Sequence, residues 1–477
     1  MMGIQQKQGE LWAKAVDLSS RIPEDHILKR LDKVLDLGFV RDEVVGTYGK
    51  KGNVSIDPVV LMRLMLLLFI DNIRGERELM RVLPLRIDYL WFISYGLDDE
   101  VPNHSVLSKA RKRWGTAVFE RLFSRVVLQC VEAGLVGSEK AHVDASLVRA
   151  NASLNAMVQN IVEEQVAKLE DDADTDTDTD TDTDTEEEPR PPKHKPVNTT
   201  YRNKTDPDSR VVRHDGGKSL PCYKNHRVVD DKGGVVTAVK TTHGVANEAA
   251  EMMDLLGQHE ERTGQKPTTA VADSCYGDTA NLVALAQAGI QAHVADRRSR
   301  MNLVRSKGIF PPEDFAYDTE SDTFTCPTGE QLYRHHFHAR RSHWEYRTKR
   351  GVCAACPLRS ECTRDKSGRT LKRHLHQELL DQARAQSHSE AAREDRKRRQ
   401  WFQERNFGEA ATMHGFKRAR WRGLERQSIQ DLLIATIQNL KIMARRSFPR
   451  LFKRLDAYLG ELRTRNAYRT NRVAPYL

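Results

Sequence analysis

The sequence predicts an α/β protein in which an all-helical domain precedes a mixed β-sheet with helices packed on it. Three observations support this fold class. Apolar residues recur at three- and four-residue intervals over 23–137, short β-rich runs alternate with helical stretches over 141–295, and helical character returns from about residue 390. A β-rich segment that contains cysteines interrupts the second part.

Four segments are expected along the chain. They are a helical domain at 1–137, the first part of the sheet domain at 138–304, a Cys/His-containing insertion at 305–375, and the remainder of the sheet domain at 376–477. Within the second segment, an acidic stretch at about 168–198 contains "DTDTDTDTDT", which alternates charge with a polar β-branched residue. Because such a repeat cannot bury apolar surface, we expect a disordered insertion without a catalytic role.

The charge of the chain favours a polyanionic partner. The protein has 477 residues, 39% of them hydrophobic, and a formal net charge of +9. That apolar content is enough for sizeable cores. Twelve acids lie in Glu170–Glu188, and leaving out that tract raises the net charge of the rest to +21. Such an excess is typical of proteins that bind nucleic acid.

The longest apolar stretch, "PVVLMRLMLLLFI" (58–70), carries Arg63 and is shorter than the roughly 20 residues that a membrane span requires. We therefore predict a buried helix, capped by Asp57 with Pro58 in its first turn. The N-terminal residues lack the apolar core of a secretory signal, so we expect a cytoplasmic, reducing location and no membrane partner. The seven cysteines are then thiols or metal ligands.

A basic helix is expected near the end of the helical domain, in "PNHSVLSKARKRWG" (102–115), with Ser105 as its cap. It carries four cations that suit contact with a DNA backbone or groove. They are Lys109, Arg111, Lys112 and Arg113. A solvated helix face explains the same pattern equally well.

The second part of the chain predicts a mixed sheet. In 222–244, two β-rich runs flank an Asp-Asp-Lys-Gly-Gly turn, which indicates a hairpin. A helix is expected over 247–262, followed by a buried strand, a turn and a helix within 268–289 and another strand at 290–295. The stripe of apolar residues in 428–446 predicts a helix that packs against the sheet.

Three acids are placed where ligand-binding groups collect. Asp144, in "HVDASLVRANAS", is expected at or near the end of one strand, and Asp273 follows the apolar "TAVA". Glu404 belongs to a helical segment that we expect Trp401 and Phe407 to dock at the sheet edge. A lone acid is more often a cap, a turn former or an ion-pair partner, so these acids alone do not establish a nuclease.

Three carboxylates brought together repel one another unless cations intervene, and hard divalent ions such as Mg²⁺ favour oxygen ligands and phosphates. Two such ions about 3.5–4 Å apart activate an attacking water or 3′-hydroxyl and stabilise the leaving oxygen. From Arg393 to Arg426 the chain has 11 Lys or Arg residues against five acids. A surface of this kind neutralises backbone phosphates, so phosphodiester chemistry fits the pattern.

Taken together, the segments resemble bacterial insertion-sequence transposases of the DDE class. The motifs occur in the family's order along nearly the whole chain. They are "SIDPVVLMRLMLLLFIDNIRGERELMRVL", "PNHSVLSKARKR", "HVDASLVRANAS", "TDPDSR", "YKNHRVVDDKGGVV", "VADSCYGD", "QERNFG", "HGFKRARWRGL" and "NLKIM". The resemblance implies an RNase H-like catalytic domain behind a helical domain that binds the DNA ends.

The same resemblance implies roles for individual residues. Asp144, Asp273 and Glu404 correspond to the two catalytic aspartates and the glutamate, which coordinate Mg²⁺ or Mn²⁺. The reaction it implies is cleavage of double-stranded DNA at inverted-repeat ends and joining of the 3′-hydroxyls to target DNA, without a covalent protein intermediate. Because this reaction requires two DNA ends to be held together, we expect a homodimer. Tyr276 and Gly277 match a frequent Tyr-Gly pair that shapes the turn.

The sequence departs from the family pattern at several places. The acidic repeat is not part of it, and Glu409 competes with Glu404 for the third position. His243 and Glu248 occupy a stretch where relatives often end in an aspartate, and we interpret both as structural. A basic segment after the glutamate is a candidate contact to the DNA end, with a solvated face as the equal alternative. It consists of Lys417, Arg418, Arg420 and Arg422.

The insertion offers a candidate zinc site. "CAACPLRSEC" contains Cys353, Cys356 and Cys362, and Cys326 lies on the preceding strand-like segment. Four thiolates would form a structural Zn²⁺ site. Four buried thiols without a metal explain the pattern equally well. Histidines of the same insertion are candidate substitutes for one ligand, namely His335, His336, His338 and His374. The other cysteines are expected in or near the core, namely Cys130, Cys222 and Cys275.

Two further functional classes remain open. An inactive or domesticated copy would bind the repeat DNA without cutting it, and the expanded acidic repeat is consistent with relaxed constraint. A zinc-stabilised regulator or an unrelated RNase H-like nuclease has a similar composition, but neither accounts for the ordered C-terminal motifs.

Overall fold

The computed structural model describes residues 17–49, 55–159, 197–213, 217–295 and 308–447. The Asp-Thr repeat, for which we expect disorder, lies outside these residues. So does the segment after residue 447.

The first part of the described chain is helical. Its α-helices are α1 Leu18–Arg21, α2 Ile27–Asp32, α3 Phe39–Val44, α4 Pro58–Ile70, α5 Glu76–Val82, α6 Ile87–Phe92, α7 Ser105–Trp114 and α8 Ala117–Glu132. The Asp57 side chain accepts a hydrogen bond of 2.9 Å from the backbone N–H of Val59, which confirms the predicted cap of α4. Residues Leu64 to Phe69 are fully buried, as expected for a core helix. Within the described ranges, no helix is both long and apolar enough to cross a bilayer.

The central sheet has six strands. They are β1 Lys140–Arg149, β4 Arg210–Arg213, β5 Ser219–Asp230, β6 Val236–His243, β7 Thr269–Ala272 and β8 Gln291–Val294. The order is β4-β5-β1-β7-β8, and β6 also pairs with β5. Pairing is antiparallel on the β5 side of β1 and parallel on the β7 side. The predicted mixed sheet and hairpin are therefore confirmed.

Helices cover both faces of this sheet. They are α10 Met252–Thr263, α11 Thr279–Gln287, α13 Gln377–His388, α14 Glu390–His414 and α15 Leu424–Ser447. Helices α10, α11 and α13 bury apolar side chains against one face, and α14 and α15 cover the other. Between β1 and β4, a two-stranded sheet pairs β2 Met157–Gln159 with β3 Tyr201–Asn203, and α9 Val197–Thr200 precedes β3.

The insertion forms an antiparallel sheet of its own. Its strands are β9 Ala316–Asp318, β10 Thr323–Thr325, β11 Gln331–His338, β12 His343–Arg347 and β13 Thr370–His374, in the order β13-β12-β11-β10-β9. The short helix α12, Arg359–Cys362, lies between β12 and β13. A small separate core contains Phe315, Leu332, Tyr346 and Leu371.

The helical part and the central sheet share one hydrophobic core. This core joins α4 and α8 to α15 and to the face of the sheet that α14 and α15 cover. The buried residues of α15 include Ile429, Leu433, Ile437 and Leu440, the predicted stripe. Because α15 lies between β6 and α8, it packs on the sheet as expected and also on the helical part.

Two local expectations are wrong. Ser105 begins α7 but does not cap it, because the Asn103 side chain accepts the 2.9 Å hydrogen bond from the Ser105 N–H. Trp401 does not dock α14, since the tryptophan is 55% exposed. Phe402 takes that role, with its ring 5.5 Å from the imidazole of His142.

The turn between β5 and β6 depends on glycine. Gly234 adopts φ +72°, and a Cβ atom on Gly233 would collide with the backbone carbonyl of Leu135. The Asp230 carboxylate accepts hydrogen bonds from the N–H groups of Gly137, Ser138 and Lys232. The turn is therefore fixed to the segment that leads into β1.

We predict that Gly233→Ala lowers the free energy of unfolding by on the order of 2 kcal/mol, because backbone cannot move aside as a flexible side chain can. The matched control is Gly257→Ala in α10, where a Cβ atom meets open space. That change is expected to stabilise by about 0.5–1 kcal/mol through helix propensity. Denaturant unfolding of both variants checks the pair, and equal stabilities would contradict the prediction.

Candidate active site

The register of β1 and β7 brings two of the predicted acids together. Lys140 pairs with Thr269 and His142 with Val271. Asp144 follows the last paired residue of β1 by two positions and Asp273 follows that of β7 by two, and the charge of Asp273 acts on Asp144. Both side chains then point to the face covered by α14, because alternate residues of a strand share a face. Asp144 lies inside β1 rather than near its end, because β1 continues to Arg149 against β5 after the pairing with β7 has stopped.

Asp144 is held in a partly buried position, with its side chain 23% exposed. Its Oδ2 lies 2.9 Å from Nη1 of Arg399 on α14, and its Oδ1 accepts a hydrogen bond of 2.8 Å from the N–H of Ala145. Burial raises the pKa of Asp144 to about 6, although Arg399 opposes this rise. The charges of Asp273 and Glu248 raise the pKa further, so both carboxylates lie near Asp144.

Asp273 begins the turn after β7. Its Oδ1 accepts a hydrogen bond of 2.8 Å from the N–H of Cys275, and its carbonyl accepts one of 3.2 Å from Tyr276. The Gly277 N–H continues the turn by donating to Ser274. Tyr276 is fully buried, and its hydroxyl has no hydrogen-bond partner. Burial, together with the charges of Glu248, Asp144 and Asp273, raises the pKa of Tyr276 well above its usual value.

Glu404 lies on α14 but is not brought to this pair. Its side chain is exposed and accepts a hydrogen bond of 2.9 Å from Gln400. The neighbouring Gln403 faces the sheet instead and donates to the carbonyl of His142 at 2.7 Å. Arg399 is five residues before Glu404, which separates the two side chains by roughly 140° around the helix.

Two residues at the site were not predicted to take part. Glu248, which we interpreted as structural, is the third acid whose charge reaches both Asp144 and Tyr276, and it forms an ion pair of 2.9 Å with Lys224. Arg399 was one of many cations in a basic segment, and nothing in the sequence distinguished it from its neighbours. Its role follows from the contact of α14 with β1.

Glu409 has a different environment from Glu404. Its carboxylate lies 2.8 Å from Lys441 and 3.9 Å from Arg445, both on α15, and 4.0 Å from His414. These groups outweigh burial and hold the pKa of Glu409 far below its usual range. Glu409 thus joins α14 to α15 through a largely buried ion pair.

The residues around Asp144 fit a divalent cation by their donor chemistry. Carboxylate oxygens are the ligands that Mg²⁺ prefers, and the unpartnered Tyr276 hydroxyl adds a polar group beside them. The mutual repulsion of the acids is the effect that a cation relieves. Arg399 supplies one compensating positive charge to Asp144.

Basic side chains from two distant segments line one groove. Lys109 and Lys112 of α7 face Arg422 and Arg426 across it. An adjoining depression contains Arg149 and Arg418 and shares Arg422 with the groove. The segment 417–419 hydrogen-bonds to Arg149 at the end of β1, which places these cations beside the strand that carries Asp144.

Two of the predicted DNA contacts make internal contacts. Arg111 is 4% exposed, pairs with Glu76 and stacks 3.8 Å from the Trp421 ring. Arg420 donates to the Leu68 carbonyl at 2.7 Å and to Asn72 at 2.9 Å. Both side chains join the basic segment to the helical part and also line the groove, so their contact with DNA stays a prediction.

The remaining predicted cations are exposed, namely Lys109, Lys112, Arg113, Lys417, Arg418 and Arg422. Arg113 stacks 4.5 Å from the Tyr48 ring, and Lys417 donates to the Ser146 hydroxyl at 2.6 Å. Both keep their charge at the surface.

The four cysteines of the insertion line one cavity, namely Cys326, Cys353, Cys356 and Cys362. Burial raises the pKa of Cys362, and the other three thiols raise it further, which reflects their proximity. No histidine is among the described residues that line this cavity. A histidine ligand in place of one thiolate therefore finds no support.

The other cysteines divide into two groups. Cys130 and Cys222 are buried, as expected. Cys275 is exposed, so its expected place near the core is wrong. It lies in the turn after β7, where the Asp273 carboxylate binds the Cys275 backbone and the side chain faces outward.

Comparison with known families agrees with these features. Residues 16–113 match a transposase domain (DUF772), and residues 325–444 match a transposase DDE domain. No curated protein matches the chain. Two segments of the chain are therefore similar to transposase domains, which indicates a transposase function. The resemblance to insertion-sequence transposases of the DDE class is confirmed.

We predict that Glu409→Gln destabilises the fold by on the order of 3 kcal/mol near pH 7, because it leaves the Lys441 charge without its buried partner. The pKa of Glu409 is lowered in the folded state. Its stabilisation is thus present above the unfolded pKa of about 4.3 and is lost as the pH falls below it. Unfolding measured from pH 7 to pH 3 should show the variant losing less stability than the parent over the acidic range. The control is Glu404→Gln on the same helix, whose exposed side chain predicts unchanged stability.

We predict that Lys109→Ala with Lys112→Ala weakens binding to duplex DNA and lowers the slope of log affinity against log salt by about 2. Both lysines line the groove and are exposed, so their loss removes phosphate contacts without disturbing the core. Titration of labelled DNA at several salt concentrations measures the slope. Lys266→Ala, on the exposed loop before β7, is the control, and an equal loss of affinity there would exclude a specific role for the groove.

Proposed function

We propose that the protein is an active, Mg²⁺-dependent transposase that cleaves DNA at the ends of an insertion sequence and joins the 3′-hydroxyls to target DNA. The observation that supports this most directly is that Asp144, in β1, lies near Asp273, directly after the neighbouring parallel strand β7, beside a basic groove. Bound divalent ions supply activation of the attacking hydroxyl and stabilisation of the leaving oxygen. In this proposal the two aspartates hold them.

We infer an RNase H-like arrangement for the sheet. Strands β6, β5 and β1 are successive antiparallel neighbours, and β7 and β8 follow on the other side of β1 in parallel. In this arrangement the first aspartate comes from the central strand and the second from the end of the neighbouring parallel strand. Asp144 and Asp273 occupy those two positions.

The third carboxylate is proposed to be Glu404, on the strength of "QERNFG". Helix α14 already supplies Arg399 to Asp144, so the helix that carries Glu404 borders the site. Glu404 takes part only if α14 or its side chain moves when DNA and metal bind. Glu248 lies near Asp144 without such a movement and is the competing candidate.

The proposed partner is double-stranded DNA, bound along the groove between α7 and the segment after α14. The exposed cations there contact phosphates, which gives affinity with little sequence information. A homodimer that holds two DNA ends completes the proposal. DNA as substrate places the reaction in the compartment that holds the DNA.

A structural Zn²⁺ is proposed for the insertion, held by Cys326, Cys353, Cys356 and Cys362. Its support is the convergence of all four thiols on one cavity. Thiolate ligation would stabilise a sheet whose apolar core is small.

One observation favours a second function, that of an inactive protein that binds the same DNA. Arg399 pairs with Asp144 at 2.9 Å and Glu404 faces solvent, an arrangement without a complete set of acidic ligands. A protein in this state would retain the groove and bind DNA without cutting it.

We predict that Asp144→Asn and Asp273→Asn each reduce strand cleavage and joining by about 10³-fold, equivalent to about 4 kcal/mol of transition-state stabilisation. DNA binding should be unchanged, because neither residue lies in the groove. Cleavage and joining of end-containing DNA with Mg²⁺ give the measurement, with Asp98→Asn on the surface as control.

Undiminished cleavage in either variant would sink the catalytic proposal. Absence of cleavage in the parent protein, with normal DNA binding, would establish the binding function instead. Glu404→Gln and Glu248→Gln in the same assay identify the third ligand. Loss of cleavage in the Glu248 variant alone would remove Glu404 from the site.

A further inference from the structure

The hairpin between β11 and β12 gathers a second kind of ligand set at its tip. His338 ends β11 and His343 begins β12, and the two residues are direct cross-strand partners. Their imidazole rings stack with centroids 4.8 Å apart at an angle of 26°. Glu345 lies two residues farther along β12 and therefore shares the face of His343.

One ligand atom from each of these three residues lies within 4.8 Å of the other two. The Nε2 atom of His338 is 3.0 Å from Oε1 of Glu345, an ion-pair distance, so both groups are close enough to bind one ion. The Nε2 atoms of both His338 and His343 are buried and make no hydrogen bond. His343 as a whole is 7% exposed. The buried His343 nitrogen has no such contact, and a buried imidazole nitrogen without a partner is costly unless something binds it.

An ion-pair network is the alternative explanation of the cluster. Glu345 Oε2 lies 3.2 Å from Arg347, and Oε1 lies 3.5 Å from Lys372. These cations account for the burial of the carboxylate. They do not account for the Nε2 atom of His343, which is buried and has no hydrogen-bond partner. Lys372 is the weaker and more exposed of the two partners, so it competes with a metal ion only partly.

We propose that His338, His343 and Glu345 form a binding site for a borderline divalent transition metal of the Zn²⁺, Ni²⁺ or Co²⁺ class. Two imidazoles and one carboxylate are the ligand types that such ions prefer. Three protein ligands leave a fourth position for water or another side chain. His374 is the cross-strand partner of His343 on β13. The site is distinct from the aspartates of the central sheet and from the four cysteines.

Titration of the full-length chain with Co²⁺ tests the site, because the absorption spectrum separates the ligand types. Thiolate ligation gives charge-transfer absorption in the near ultraviolet, whereas nitrogen and oxygen ligands give visible bands alone. We expect one Co²⁺ with nitrogen and oxygen ligands per chain. His338→Ala with His343→Ala should weaken it by at least about tenfold, the scale of lost ligand support at metal sites. His335→Ala, an exposed histidine of the same strand, should leave it unchanged.

The Lys372→Met variant distinguishes loss of a metal ligand from loss of folding as the reason for weaker Co²⁺ binding. It removes the competing cation, so Co²⁺ should bind more tightly, a gain that unfolding cannot produce. Cys353→Ser with Cys356→Ser should remove thiolate absorption and leave the visible bands, which keeps the cysteine proposal separate. Co²⁺ binding that is unaffected by the double histidine change, or not tightened by Lys372→Met, overturns the proposal.

Discussion

The antiparallel ladder between β1 and β5 sets Asp144 opposite Arg227, while the parallel ladder with β7 brings Asp273 to the same level. Successive side chains of β1 point to opposite faces of the sheet, and this alternation decides which of them reach the site. Ala141 and Val143 pack toward α10, and His142 and Asp144 face α14. A shift of one residue in either register would turn the acid into the opposite core. The position of the candidate site is thus a consequence of sheet pairing rather than of local sequence around the acid.

A buried polar network joins β5, the neighbour of β1, to helices α14 and α15. Arg227 is fully buried and donates to Asn225, Asn406 and Gln438, at 2.7, 2.7 and 2.8 Å. Burial lowers the pKa of Arg227 to about 10 and raises that of nearby Asp431 to about 6. Since unpaired charges in a core are costly, the fixed hydrogen bonds of this network also fix the distance between the sheet and α14. Arg399 reaches Asp144 from a helix placed in this way.

Local patterns were sufficient to predict much of the fold. The Asp57-Pro58 cap, the hairpin at 230–234 and the apolar stripe of α15 each follow from short-range chemistry, and the structure contains all three. Side-chain environment was less predictable. Arg111 and Lys112 are adjacent cations of one helix, yet Arg111 is buried against Trp421 and Lys112 is exposed. Only the packing of α7 on a segment 300 residues away along the chain distinguishes them.

The candidate site also contains some residues that local sequence could predict and others that it could not. Asp144 and Asp273 could be selected because each belongs to a β-rich run that ends in polar residues. The roles of Arg399 and Glu248 could not, since they depend on how α14 crosses the sheet and where the loop after β6 returns. Likewise, the helical period of α14 does not reveal that Gln403 rather than Glu404 faces β1.

The shared core has a consequence for how the protein is made. Helices α4 and α8 bury apolar surface against α15, which a ribosome synthesises after nearly all other described elements. Domains generally fold as units during synthesis, but here the early helices lack their packing partner until translation reaches the late one. A nascent chain would therefore carry exposed apolar helices for most of its synthesis, and its basic groove would assemble only after release of the late segment.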